Sequence, residues 1–423
     1  MFLGRLVESG GRAIRVRRLG GGRAGEIRLT RFLRNAAVTV EEMVAEAGQR
    51  TAQRGAGRHV LAIQDTTVVR SEGGGGDYLH AVLAVDAEDH AILGLVDAQF
   101  LARAEGKRAG RRAVPIEQKK SFRWLQGADQ AASACAGAAR VTVIADRESD
   151  IFEAFALRPE GIDLLVRAAH ERGLDDGGLL FAAIDALPGA GRAELELPAQ
   201  PGRQRRTVRL EARFAPVRLA RPKNGQRAGL PASVALRVVD IRETDPAPGM
   251  PAVHWRLLTT HAVSSVVEAW EVAALYRRRW AIEQLFRTLK TQGFDVEGLR
   301  IKDAAPRNKL IMAALVAAVC VQQLVHARDG GPGKLRPLAD AFEPDDQPLL
   351  QACCARLQSK TARQQNPHAP GSLAYAAWVC ARLGGWTRYY GKPGPIVMLQ
   401  GWLEFHAMKR GLTLLSPSHA DGS

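Results

Sequence analysis

The chain has 423 residues, of which 46% are hydrophobic and 24% charged, a balance that excludes a disordered polymer and gives core enough for about two to four domains. Lys and Arg outnumber Asp and Glu by 59 to 44, for a net charge of +15. Most of the excess is Arg, which forks onto phosphates, and no amphipathic anchor is visible, so an anionic polymer such as nucleic acid is a better partner than a membrane. The five cysteines are odd in number and lack paired zinc-ligand spacing. They suit buried thiols in a reducing cytoplasm, and no apolar signal region opens the chain.

In chain order, residues 1–30 are dominated by Gly and Arg (GGRAIRVRRLGGGRAG) with almost no apolar period, and are expected to be disordered or degenerate. A helix is predicted after Thr39, with Glu42 placed three residues on to complete a capping box. His59–Gln64 (HVLAIQ) reads as a short apolar strand ending at Asp65. Tyr78–Asp86 and Ala91–Leu101 read as a hairpin. A helix over 116–135, a buried strand Val141–Ala145 ending at Asp146, and a strand Leu164–Arg167 complete an α/β core with a mixed sheet.

From about Leu187 to Pro251 the texture changes to alternating strands with basic turns (RAELEL, RTVRLEARF, ASVALRVVDIRE), which reads as a β-rich insertion. Val253–Thr260 returns to the core and leads into YRRRWAIEQLFRTLK, Tyr276–Lys290. Read as one helix, this segment puts Tyr276, Arg279, Glu283, Arg287 and Lys290 within an arc of about 80°, beside an apolar arc containing Ile282, Leu285 and Leu289. After Asp303 the chain is helical, and 310–325 (LIMAALVAAVCVQQLV) reads as a buried core helix, too short and too polar at Gln322–Gln323 to span a bilayer. The expected divisions are 1–58, an amino-terminal DNA-binding region; 59–186 and 253–303, two parts of a catalytic core; 187–252, the insertion; and 304–423, a helical region.

Asp65 and Asp146 follow strands, and Glu283 sits among cations on a later helix. An Asp after a strand is often only a local cap, and charged helix faces are usually only solvated. Together, however, three separated carboxylates are the ligand set for two divalent ions in phosphoryl transfer. All-oxygen ligands point to Mg²⁺ or Mn²⁺ over zinc. Glu72–Asp77 (EGGGGD) lacks the Lys-Ser/Thr ending of a phosphate-binding loop, and no G-x-S-x-G nucleophile motif occurs.

The segments LAIQDTT, VIADRESD and Y-x2-R-x3-E-x6-K (Tyr276, Arg279, Glu283, Lys290) resemble the DDE transposases of the insertion-sequence-four family, over about Arg31 to Trp402. The resemblance implies a ribonuclease-H-like core with a β-insertion before the catalytic Glu, and helical regions at both ends. It makes Asp65, Asp146 and Glu283 the metal-binding catalytic triad, and Tyr276, Arg279 and Lys290 contacts to transposon-end phosphates. It also sets Trp255 where relatives stack an extruded base, and Arg167 where DNA contact is expected. The implied partners are double-stranded DNA, as element ends and target, and a second copy of the chain on that DNA through the carboxyl-terminal region. The implied setting is the bacterial cytoplasm, at the nucleoid. The competing reading is a remnant defective in catalysis or end recognition that binds DNA or dimerises as an inhibitor.

Overall fold

The structure is a computed structural model that describes residues 14–70, 76–102, 114–197, 204–223, 229–330, 335–389 and 391–415. Residues 1–13 lie outside the described residues. Residues 14–30 differ from expectation: α1 (Val16–Gly20) and most of α2 (Arg23–Arg34) are helical, with Ile14, Leu19, Leu29 and Leu33 buried. The glycines that read as a disorder signal serve a tight crossing. Gly21 takes a φ of 67°, and a Cβ on Gly25 would stand 1.9 Å from the Gly20 carbonyl oxygen. Lys309, from a distant helix, then donates to the Leu33 and Asn35 carbonyls at 3.1 and 2.7 Å, satisfying the end of α2. The expected capping box opens α3 (Val40–Gly55), with Thr39 Oγ1 accepting from Glu42 N at 3.1 Å and Glu42 Oε2 accepting from Thr39 N at 3.0 Å.

The nine strands are β1 (His59–Arg70), β2 (Gly76–Asp86), β3 (Ile92–Leu101), β4 (Arg140–Ala145), β5 (Ile162–Arg167), β6 (Gly191–Leu197), β7 (Arg206–Ala220), β8 (Ser233–Glu243) and β9 (His254–Thr259). They form one mixed sheet in the order β3-β2-β1-β4-β5-β9-β8-β7-β6. β1, β4 and β5 are parallel, and the remaining pairings are antiparallel. Residues 187–252, read as an insertion, supply β6, β7 and β8, which continue this same sheet outward from β9.

Helices cover both faces of the sheet, which is why its central strands are apolar on both sides. Leu61 and Ile63 of β1 pack in one core, while Val60 and Ala62 pack in the other with Ala128 and Ala131 of α4 (Phe122–Ala134). The short helices α5 (Phe152–Ala156) and α6 (Leu180–Asp185) cover the α4 side, through Phe155, Leu180 and Ile184.

The opposite face is covered by α7 (Val266–Arg277), α8 (Trp280–Leu289) and α9 (Ala304–Ala327). Tyr276–Lys290 is therefore two helices and not one. They meet at Arg278–Arg279, where Arg278 N bonds Leu275 O and Arg279 N bonds Tyr276 O, both at 3.0 Å and three residues back. α9 is long and apolar enough by composition to cross a membrane, yet Met312, Leu315 and Leu324 are fully buried inside the protein. α10 (Gln347–Leu357), α11 (Leu373–Leu383) and α12 (Pro395–Leu415) complete this layer, burying Trp378 and Trp402.

Candidate active site

Side chains two apart on a strand share a face. Ile63 and Ile144 are paired across β1 and β4 and belong to the α8-side core. Asp65 and Asp146 stand two residues further on, so both aspartates turn to that side, and the same register carried forward sets them side by side. Asp65 does not end its strand as read from sequence. β1 runs on to Arg70 because its pairing with β2 continues past the point where β4 stops. Asp146 leaves β4 into a 3₁₀ turn over Arg147–Ser149, with one carboxylate oxygen accepting from Glu148 N at 2.9 Å.

Ile282, Leu285 and Leu289 of α8 are fully buried against the sheet, which fixes the rotation of that helix and aims Glu283 at the aspartates. Arg279, at the start of α8, joins them: its Nη1 donates to Asp65 Oδ2 at 3.2 Å and its Nη2 pairs with Glu283 Oε1. Burial pushes the Asp65 carboxyl up to about 6, and Asp146 and Glu283 push in the same direction against Thr66 N–H and Arg279. The three acids thus share one electrostatic site.

Among the described residues, no group of three or more His, Cys, Asp or Glu side chains converges closely enough to hold a metal as it stands. Arg279 is the reason for part of this, since one guanidinium already satisfies Asp65 and Glu283. The donor set itself is all oxygen, and burial, with Asp146 and Glu283 nearby, raises the Asp65 carboxyl. These residues fit a hard divalent cation once Arg279 turns aside.

The other expected residues fall on the same face, apart from Lys290. Tyr276 is buried at 5% exposure, and its hydroxyl lies among Arg279, Arg167 and Asp146, with burial raising its pKa. Arg167, at the end of β5, donates to the His254 carbonyl at 2.7 Å. Trp255 is half-buried, packs on the core and meets the Tyr276 ring at 6.3 Å between centroids, inclined by 56°. Lys290 caps α8 and reaches the outer end of β1, donating to Val68 O at 2.5 Å with Glu297 at 3.6 Å.

A polar network behind β1 escaped the reading of the sequence. Thr66 and its cross-strand partner His80 point to the α4 face. His80 is wholly buried, with Nδ1 at 3.0 Å from Thr66 Oγ1 and Nε2 at 3.1 Å from Gln64 Oε1. Arg123 of α4 donates to Thr66 Oγ1 at 3.0 Å and to Glu148 Oε2 at 2.6 Å. It therefore ties the residue after Asp65 to the turn that carries Asp146. A Cβ on Gly127 would stand 2.6 Å from Gln64 Oε1, so a larger residue there would have to displace the Gln64 amide. The signal was present in Asp65–Thr66–Thr67 and in Arg147–Glu148, but nothing in the sequence joins Arg123 to either.

Parallel central strands, antiparallel β2 and β3 on one edge, and acids facing a covering helix make up a ribonuclease-H-like α/β core. Residues 79–320 match the family model described as Transposase DDE domain. That span is over half of the chain, and the protein belongs to the transposase DDE domain family. The matched residues take in Asp146, Arg167, Trp255, Tyr276, Arg279, Glu283 and Lys290, and begin after Asp65.

Proposed function

We propose that this protein is a cut-and-paste transposase of the insertion-sequence-four type. It cleaves DNA at the ends of its element, passes through a hairpin, and joins the freed 3′ ends to target DNA. The observation that carries this reading is that Asp65 and Asp146 share one face of adjacent parallel strands, with Glu283 tied to Asp65 through Arg279.

In this reading Asp65, Asp146 and Glu283 hold Mg²⁺ or Mn²⁺. When bound, these ions activate the attacking oxygen and stabilise the leaving one. The chain's own residues do the rest. Arg279 exchanges its carboxylate partners for a DNA phosphate, and the Tyr276 hydroxyl, set between Arg167 and Arg279, orients both cations. Lys290 grips a phosphate further along the strand, and Trp255 offers its exposed face to an extruded base. Two copies act on one pair of DNA ends, dimerising through residues 304–423, in the bacterial cytoplasm.

The test is an assay on the genomic ends flanking the gene. Cleavage in Mg²⁺ at the element boundary, with a hairpin on the element end, is the expected result. Degradation without regard to the boundary would instead mark a general nuclease of the same fold.

A further inference from the structure

From Gln347 to Leu403 the sequence holds no Asp or Glu, and its charged residues are Arg356, Lys360, Arg363, Arg382, Arg388 and Lys392. The loops that join α10, α11 and α12 draw the middle of this segment together, and arginines tie one loop to the other. Arg388 Nη1 donates to the Arg363 and Gln365 carbonyls at 2.7 and 2.8 Å, and Arg363 Nε donates back to the Arg388 carbonyl at 3.2 Å. Arg382 donates to the Leu357 and Trp386 carbonyls at 3.1 and 3.2 Å.

A carbonyl is a dipole and not a counter-charge, so these guanidiniums are held in place with their charge left over. Arg54, Arg172 and Arg206, in contrast, each meet a carboxylate. Of the six cations only Lys392 forms an ion pair among the described residues, with Asp329 at 2.7 Å. Arg363 also rests over the Tyr389 ring, 4.7 Å from its centroid, and that ring is 56% exposed. Arg388 holds a φ of 68°, a costly backbone for a residue with a side chain. The strain falls on the residue that makes the clamp.

This surface adjoins the carboxyl end of α9, where Arg328 donates to the Pro393 carbonyl at 2.7 Å and Asp329 meets Lys392. The same end of α9 faces the start of α8, since Arg277, Arg278 and Gln284 share one opening with Arg328 and Asp329. Lys290 caps the other end of α8. We propose that Lys360, Arg363 and Arg388 grip the phosphate backbone of a second DNA duplex, without regard to its sequence, while a first is held at Arg279 and Lys290. Joining an end to new DNA needs two duplexes at one set of acids, and cations beyond each end of α8 serve one apiece. Guanidiniums pinned to carbonyls position a backbone and read no bases, which suits DNA of any sequence and not an element end. The inference rests on the proposed function only for taking that second duplex to be the target.

The test adds a labelled random-sequence duplex to protein already saturated with element-end duplex in Ca²⁺, and follows its capture by fluorescence anisotropy across a salt series. Wild type should capture it with an affinity that falls steeply with salt. Lys360→Gln with Arg363→Gln should weaken capture about tenfold or more and flatten the log–log slope by about two units. Lys360→Gln alone, which removes no bond between the loops, should flatten it by about one unit. Arg363→Lys, which keeps the charge, should leave the slope as it is. Every variant should bind and cleave the element end as wild type does, which also shows that it has folded.

Capture by the glutamine variants as tight as by wild type would overturn the proposal. An equal loss of element-end binding would overturn it too, because the surface would then belong to the grip on that end. A protein that cleaves element ends but captures no second duplex would sink this inference alone. One that captures a second duplex through these residues but never cleaves would sink the proposed function and leave the surface standing.

Discussion

Arg279 Nη1 lies 3.2 Å from the Asp65 carboxylate across 214 residues of sequence, while its other terminal nitrogen binds Glu283 four residues along the same helix. One cation thereby neutralises two of the three acids, and any divalent ion must compete with it. Both carboxylates are largely shielded from water, at 17% and 28% side-chain exposure, so removing their partner leaves charges that solvent repairs poorly.

Arg279→Ala should therefore melt a few degrees below wild type in chelator, and the deficit should shrink when Mg²⁺ is added. Thermal unfolding with and without the ion checks this. A variant whose deficit is the same in both conditions would show that guanidinium and metal do not share a place.

Arg123 binds Thr66 and Glu148, the neighbours of Asp65 and Asp146, and approaches neither aspartate's chemistry itself. Arg123→Ala should slow cleavage by about 10–100-fold, as loss of groups that orient metal ligands does. DNA affinity in Ca²⁺ should hold. Raising Mg²⁺ should recover part of the rate, which a loss caused by unfolding would not allow.

Trp255 has one flank on the core and packs near Tyr276. Trp255→Ala should slow hairpin formation by roughly tenfold or more, in line with a stacking loss of about 1–3 kcal/mol. The salt slope of binding should not move, because stacking releases no counterions. If the variant instead unfolds far below wild type and cleaves normally at low temperature, Trp255 is a packing residue.

Acid should destabilise the fold through its buried histidines. Burial lowers His80 to about 3, and His261 and His406 to about 4, from an ordinary 6.5. Between those values the unfolded chain binds more protons, so stability rises with pH up to about 6.5 and is lost as pH falls through that window. Asp65, raised to about 6, works in the opposite direction over part of the range. His406 sits against Trp402 with its Nε2 buried and unbonded. His406→Leu should reduce the acid loss by on the order of 2 kcal/mol, read from denaturant midpoints on either side of the window.

What could be read from the sequence follows from locality. The β1–β3 order and the Thr39 capping box rest on contacts within a few residues or on strand periodicity. The break at Arg278–Arg279 was hidden because the helical period carries across it almost in phase. The helical character of residues 14–30 was hidden for the opposite reason. Their stability comes from Lys309 and the core around Leu29 and Leu33, and glycine-rich composition says nothing of such partners. Arg123 reaches Thr66 and Glu148, both far from it along the chain, and no spacing announces those contacts.

The central claim is that Asp65, Asp146 and Glu283 act together in metal-dependent DNA cleavage, and Asp65 is the sharpest case, since it lies outside residues 79–320. The direct measurement is cleavage of the element end in Mg²⁺ by Asp65→Ala, Asp146→Ala and Glu283→Ala, with binding measured in Ca²⁺. Each variant should lose at least about 10³ in rate while still binding DNA. Near wild-type cleavage by any one of them would contradict the account and remove that residue from the site.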